Sequence, residues 1–463
     1  MSFQKLIILL IALFHVSFGA CNDRDVIDKQ KELTKADYPN PAINPNPIVD
    51  YNLWKIEDGK FYLDGEWVFL KIAKPLIDFS DAEQVERLIS NLNILRNKYF
   101  NTIELNCYWH HFDTDGDGIT DKSIEPLAKL IDAIYAKGMY PCLSVETYAV
   151  GGGTIPEGFW ELYPDAFAIN EKGEKVTDTE YGFGSKVVSI FHPGYRTTAH
   201  TFIKSLAKGI DTRKILYFET TVEPQYMGAI ALCYSEAAHD EYNQWREVNH
   251  LTDAESEMPS IFPVPASFIT NPTWNKFRAQ FLARWVNEDA AAYREIAGEK
   301  AYVAVDYLDA NENEQPLRMG DPVEFLTHLA AANIIQVNWT WYFPDNKPNQ
   351  KAYDRVWQVK KATGRDWVIA EHMTFNGSDF VHFKESELES ILENTLTQGT
   401  RFGWEFVSVT NDSNGSFSLY NSDWSPKRVM KFVDQYWGYW LHRIKVIDKN
   451  ENVYTITKQN KPK

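Results

Sequence analysis

Four cysteines in 463 residues are too few for a disulfide framework. Cys21 stands at the foot of a short apolar leader, and the other three, Cys107, Cys142 and Cys233, are an odd number with no Cys/His spacing suited to zinc. Those three are expected to be buried free thiols that behave as small apolar residues. Positive charge is scarce too: 47 Lys and Arg against 64 Asp and Glu leave a formal net charge of -17. No basic cluster offsets that balance, which argues against nucleic acid and anionic membrane surfaces as partners. No Gly-rich phosphate loop follows the first strand pattern and no Gly-x-Ser-x-Gly elbow occurs, so two common open-sheet functions are set aside. Residues 6–16 form an apolar run too short to span a bilayer.

That run reads as an export signal, with Lys5 before it and Ser17, Phe18, Gly19 and Ala20 leading into Cys21. Small residues directly before a Cys resemble a bacterial lipoprotein processing site. Residues 1–20 are therefore expected to be a signal peptide, Cys21 a lipidation site, and residues 21–50, with Pro39, Pro41, Pro45 and Pro47, an extended tether. The protein would then act in the bacterial cell envelope or after secretion, touching the membrane only through its anchor. Oligomeric state is not legible.

What is present is apolar and aromatic residues, 44% and 14% of the chain, enough for a large core. A hairpin is expected where Phe61, Tyr62 and Leu63 turn at Asp64-Gly65, followed by a first strand over 68–73. Further short apolar strands are readable at 102–109, 141–146, 214–220, 302–306, 334–341, 367–371 and 403–409. Amphipathic helices separate them: Ile124, Leu127, Ile131 and Ile134 share one face, as do Trp274, Phe277, Phe281 and Trp285 in a longer helix that Gly298 stops. Parallel strands joined by helical crossovers, repeated eight times, specify an α/β fold of the (β/α)8 TIM-barrel kind, a single domain over 51–445 with insertions in its βα loops and a tail over 446–463. A doubly wound open sheet is the alternative.

Functional groups of such a barrel lie at the C-terminal ends of its strands, and here those ends carry carboxylates and aromatics. Glu223 follows the fourth strand and Glu371 ends the seventh. Two glutamates across a barrel mouth can act on a glycosidic bond, one protonating the leaving oxygen while the other attacks the anomeric carbon. Glu146, Glu219 and Glu405 are further candidates that read equally as buried ion-paired carboxylates. Trp109, Tyr148, Trp339, Trp341, Tyr342 and Trp404 crowd the same ends, and flat rings suit the C–H faces of sugars, although core packing explains some of them. Asp113, Asp115, Asp117 and Asp121, spaced by Gly116 and Gly118, form either a calcium-wrapping loop or a solvated turn that caps the next helix. Residues 251–273, with four prolines, are expected to shape the cleft over the fourth strand.

Several ordered segments resemble the clan A glycoside hydrolases, and family 42 above all, whose named activity is β-galactosidase. They are Tyr163-Pro164-Asp165, Phe183-Gly184-Ser185, Pro193-Gly194-Tyr195-Arg196, and Glu223 with Cys233-Tyr234 ten residues on, leading into a helix through Tyr242 and Trp245. The likeness runs over about residues 60–440 and implies a retaining mechanism with Glu223 as acid/base and Glu371 as nucleophile; Tyr342, at the exit of the sixth strand, is either a hydroxyl that hydrogen-bonds the nucleophile or a subsite or core aromatic. A carbohydrate substrate and no organic cofactor follow, with structural calcium as the one metal to consider. This sequence departs from the family in having Val222 where an Asn precedes the acid/base, and in lacking the family's zinc-binding cysteines. It is expected to lack the further C-terminal domains of family 42 as well. The alternative is a barrel that keeps the aromatic cleft as a surface glycan-binding lipoprotein without turnover.

Overall fold

The computed structural model describes residues 49–57, 59–68, 70–98, 100–148, 153–177, 186–226, 231–253, 256–308, 315–338, 350–373, 403–407, 409–410, 418–427, 430, 444–447 and 453–456. The signal peptide, Cys21 and the tether lie outside them.

Three short strands, β1 (Trp54–Glu57), β2 (Lys60–Leu63) and β3 (Glu66–Val68), form an antiparallel sheet, with β2 and β3 turning at Asp64 and Gly65 as expected. Both turn residues have positive φ, 52° and 79°, the twist a two-residue hairpin requires. Eight parallel strands follow: β4 (Leu70–Lys74), β5 (Thr102–Tyr108), β6 (Tyr140–Glu146), β7 (Tyr217–Glu219), β8 (Tyr302–Leu308), β9 (Ile334–Asn338), β10 (Val368–Met373) and β11 (Gly403–Val407). They close on one another in sequence order, β11 returning to pair with β4, so the barrel reading stands and the open sheet falls.

Each of the eight barrel strands coincides with one expected from the sequence, with bounds that shift at one or both ends. β7 is three residues long because Thr212–Lys214 turns as a 3-10 helix before it, although Thr220 N still donates to Ala304 O at 3.2 Å. β9 is described only to Asn338, and β10 runs two residues beyond Glu371, with Met373 in register with Phe406.

Helices α1 (Ala82–Asn97), α2 (Glu125–Ala136), α3 (Glu157–Leu162), α4 (Pro193–Lys208), α5 (Glu236–Val248), α6 (Pro272–Ala297), α7 (Pro322–His328) and α8 (Gln350–Thr363) belong to the connections. Side-chain caps start several: Asp81 accepts from the N–H groups of Glu83 and Gln84, and Ser235 accepts from that of Ala238. The periodic apolar faces are buried as read, with Leu127, Ile131 and Ile134 on α2 and Trp274, Phe277, Phe281 and Trp285 on α6. Gly298 ends α6 at φ 99°, where a side chain would be strained.

Two cores result. The larger lies between the barrel wall and the helices. The smaller fills the barrel's N-terminal end, where Trp54 meets Phe61 and Tyr140 edge-on and Phe61 meets Tyr302. The β1–β3 sheet thereby covers that end and leaves the C-terminal mouth for function. A last hairpin, β12 (Ile444–Ile447) with β13 (Val453–Ile456), straddles position 445, so the segment read as a tail contains strands.

Candidate active site

Alternation along each strand decides which side chains enter the barrel. On β5, Ile103, Leu105 and Cys107 join the outer core, which turns Glu104, Asn106 and Tyr108 inward. Register then extends the inner face: Glu104 lies beside Cys142, Asn106 beside Ser144, Tyr108 beside Glu146, and Ser144 beside Glu219.

The deepest polar layer centres on Lys74, whose Nζ lies 2.6 Å from Glu104 Oε1 and 2.7 Å from Glu219 Oε2, all of them buried. Glu104 Oε2 also accepts from the Tyr217 hydroxyl and from Gln336 Nε2. Although burial opposes its charge most strongly, Lys74 and these donors outweigh it and hold the Glu104 carboxyl down at about 2. Glu219 is thus an internal ion-pair partner, the structural alternative the sequence left open.

One layer nearer the mouth, Glu146 is wholly buried. Its Oε1 accepts from Ser144 Oγ at 2.7 Å and Asn106 Nδ2 at 3.2 Å, and its Oε2 from Val222 N at 3.0 Å and Thr221 Oγ1 at 3.4 Å. Burial pushes this carboxyl above the usual range, with the Lys74 charge and the Val222 N–H opposing that push.

Glu223 sits four residues past β7, half-buried, at φ 49°. A left-handed backbone at a non-Gly residue costs about 1–2 kcal/mol, so the surrounding bonds have to enforce it. They do so on both sides. Val222 is held by Glu146, Gln225 Nε2 donates to Glu223 Oε2 at 3.2 Å, and Tyr226 N donates to Arg318 O at 2.7 Å. Farther along, buried Arg278 of α6 stacks over the Tyr226 ring, donates to Leu232 O at 2.6 Å and also bonds Leu317 O.

Glu371 is the fourth residue of β10, in register with Val337 and Trp404; only its backbone is described, as for Trp404 and Glu405. Trp339, Trp341 and Tyr342 lie outside the described residues.

Two expected sugar platforms are corrected. Trp109 is fully buried, stacked on Phe202 with centroids 5.5 Å apart, its Nε1 donating to Asp113 Oδ2 at 2.7 Å. Tyr148 is buried against Trp285 of α6, edge to face at 5.2 Å. Both rings belong to the helix layer. Tyr108, which the sequence reading passed over, occupies the inward position instead: it is part-exposed, next to Glu146 in register, and parallel to the His110 ring at 6.1 Å. Burial and the Glu146 charge push its hydroxyl up to about 12, so it stays a donor at neutral pH.

The Asp-rich loop is neither solvated throughout nor a helix cap. Asp113 is buried, and its two oxygens accept the N–H groups of Gly116 and Gly118 at 2.8 Å besides that of Trp109. Gly116 abuts the backbone of Phe159 on α3 and Gly118 that of Thr198 on α4, and neither leaves room for a Cβ. Asp113, Asp115 and Asp117 each bring an oxygen within 4.8 Å of the others and could share a cation, while Asp121 turns to Thr114. Helix α2 begins without a side-chain cap.

Residues behind the family resemblance have readable jobs. Gly194 takes the Tyr163 ring, the Tyr195 hydroxyl donates to Thr147 O at the exit of β6, and Arg196 joins Glu241 of α5 to Glu288 of α6. Cys233 Sγ accepts from Ile169 N and Ser235 N, and all three described cysteines are free and buried as expected. Residues 251–273 rest on neighbouring surface segments, with Tyr242 donating to Ser256 O, Val264 N to Glu171 O, and Phe262 against Gly173.

Eight parallel strands close into a barrel with Glu146 and Glu223 near the C-terminal ends of its strands, and comparison with known proteins agrees on that fold. The glycoside hydrolase family 42 model, described as β-galactosidase, matches residues 97–257, a span that includes Tyr108, Glu146 and Glu223. The catalytic domain of a β-amylase from Paenibacillus polymyxa superposes with a TM-score of 0.58 at 14% identity, over 82% of this chain and 98% of that one. A β-galactosidase from the psychrophilic Marinomonas ef1 gives 0.57 at 13%, over 79% and 58%. A catalytic mutant of a family 42 β-galactosidase from G. stearothermophilus gives 0.57 at 14%, over 80% and 56%. The chain thus spans a little over half the length of those β-galactosidases. No curated protein matches it by sequence. The family 42 likeness thus covers residues 97–257, and the solved structures share the barrel fold with the rest of the chain.

Proposed function

We propose that the protein is a retaining O-glycosyl hydrolase that cleaves β-glycosidic bonds, with Glu223 as acid/base and Glu371 as nucleophile. The observation that carries this reading is Glu223 itself, a half-buried glutamate fixed in a left-handed turn at the barrel mouth, within the span matched by the family 42 model. Such strain is kept where a side chain has to be aimed. In the first step Glu223 gives its proton to the departing glycosidic oxygen while a Glu371 oxygen bonds the anomeric carbon. In the second, Glu223 takes a proton from water, whose oxygen displaces Glu371. Tyr108 offers a hydroxyl to the sugar beside this pair.

The substrate is an oligo- or polysaccharide of the β-linked kind, galactosides first among the candidates. Export through the leader and anchoring at Cys21 would place the barrel outside the cytoplasm, and loss of lipid labelling in Cys21→Ser tests that arm. Val222 favours a second reading, glycan binding without turnover, because its side chain offers no amide to a sugar hydroxyl. A panel of aryl β-glycosides separates the two: turnover that collapses in Glu223→Gln supports hydrolysis, while binding without turnover in every form supports the second reading.

A further inference from the structure

We infer that Glu146 is the positioning residue of the acid/base: by accepting the Val222 N–H it holds the left-handed turn that aims Glu223 at the leaving oxygen. The inference rests on the reading of Glu223 given above. It starts from a carboxylate buried on all sides and bonded by four donors from three parts of the fold: Asn106 on β5, Ser144 on β6, and Thr221 and Val222 after β7. Burying an ionisable group in that way is costly unless each oxygen is satisfied, so the site is built around a carboxylate.

Two of the four bonds reach the residues directly before Glu223. Thr221 strengthens the link, because its hydroxyl accepts from Tyr148 N at 3.3 Å while donating to Glu146. The exit of β6 is thus tied to the exit of β7 at two consecutive residues, immediately ahead of the φ 49° turn. Val222 cannot contribute a side-chain hydrogen bond, and its N–H is what this position supplies. Below, the Lys74 cation, itself bound to Glu104 and Glu219, compensates the Glu146 charge from inside the barrel. Glu146 has no exposed surface and both its oxygens are bonded within the protein, so it acts through Glu223.

A positioning role and a purely structural one differ in a measurable way. Misaiming a general acid hurts departure of poor leaving groups, which need the proton, and spares good ones, which do not. The test compares the intact protein with Glu146→Gln, Thr221→Val and Ser144→Ala on 2,4-dinitrophenyl and phenyl β-glycosides of galactose, glucose and mannose. For Glu146→Gln the expected result is a fall in kcat/KM, which reports the first step, of roughly 10- to 100-fold on the phenyl glycoside and less than about 3-fold on the dinitrophenyl one. Thr221→Val should show the same selectivity in weaker form and keeps the test open if Glu146→Gln does not fold. Ser144→Ala, which removes the 2.7 Å bond to the other carboxylate oxygen, should likewise show the selectivity in weaker form.

Equal losses on both substrates with a lowered melting temperature, or no loss at all, would overturn the inference and leave Glu146 as a structural carboxylate. Glu223→Gln serves as the reference. If it shows no leaving-group selectivity, or if the intact protein turns over none of the glycosides, the reading of Glu223 fails first and this inference with it. If Glu223→Gln is selective and Glu146→Gln is not, the inference fails alone.

Discussion

Replacing Lys74 by Met tests whether the barrel interior is organised by one cation. Its Nζ meets Glu104 at 2.6 Å and Glu219 at 2.7 Å, and none of the three side chains is more than 1% exposed. Glu104 is held down from 4.5 to about 2 by Lys74 together with its hydrogen bonds, so folding favours its ionised form at neutral pH. Because the folded value is the lower one, that contribution to stability is fully present above about pH 4.5 and is lost as pH falls through about 2. Removing the cation leaves two buried carboxylates facing each other without their shared counter-charge, at a cost of about 3–5 kcal/mol. Urea unfolding of Lys74→Met against the parent should show that loss at pH 7. The gap should narrow by more than about 1 kcal/mol at pH 4.5, because an unpaired buried carboxylate takes up a proton that the parent's Glu104 refuses. Adding Glu104→Gln to Lys74→Met should recover part of the loss at pH 7. A gap that is the same at both pH values, with no recovery in the double variant, would refute the claim that the Lys74 charge sustains these carboxylates.

Other outcomes follow from the same geometry. Gly116→Ala should lower the melting temperature by several degrees or prevent folding, since φ is 74° and the added Cβ would lie 2.2 Å from Phe159 N. Asp113→Ala, which strands three N–H donors, should cost about 2–4 kcal/mol in urea unfolding. Trp109→Phe should lower stability and leave KM on an aryl glycoside unchanged, whereas Tyr108→Phe should raise KM several-fold and leave stability within about 0.5 kcal/mol. The reverse pattern would return Trp109 to the cleft. Calcium added to chelator-treated protein should raise the melting temperature if Asp113, Asp115 and Asp117 share a cation, by an amount that grows with calcium concentration. A melting temperature that ignores both calcium and chelator would show the loop to be held by its own hydrogen bonds.

The barrel was legible because its signals are local and repeated. Short apolar strands, amphipathic helices and a hairpin at Asp64-Gly65 each show in a window of a few residues. Glu223 was legible for the same reason, as a carboxylate just past a strand. The aromatic rim was not. Between Tyr108 and Trp109 the choice depends on a one-residue parity that only pairing with β6 settles, and the larger ring drew the assignment while the smaller one faces the mouth. The Lys74 layer and the bonds of Glu146 to Asn106, Thr221 and Val222 join residues up to 232 positions apart, a separation at which no spacing rule applies. Still, Lys74, Glu104 and Glu219 each stand directly after an apolar residue of a buried strand, and a charge in such a place is a readable sign of an internal partner. Val222 shows the opposite lesson: its side chain looked like a loss, while its backbone N–H turns out to be the group that the site holds.

The most direct test of the central claim is the anomeric configuration of the first-formed sugar, followed by proton NMR as the soluble barrel hydrolyses a phenyl β-glycoside, whose leaving group needs the acid, with Glu223→Gln and Glu371→Gln alongside. The account predicts a β-configured first product that mutarotates afterwards, and turnover lost in both variants. An α-configured first product, or full turnover in either variant, would contradict it.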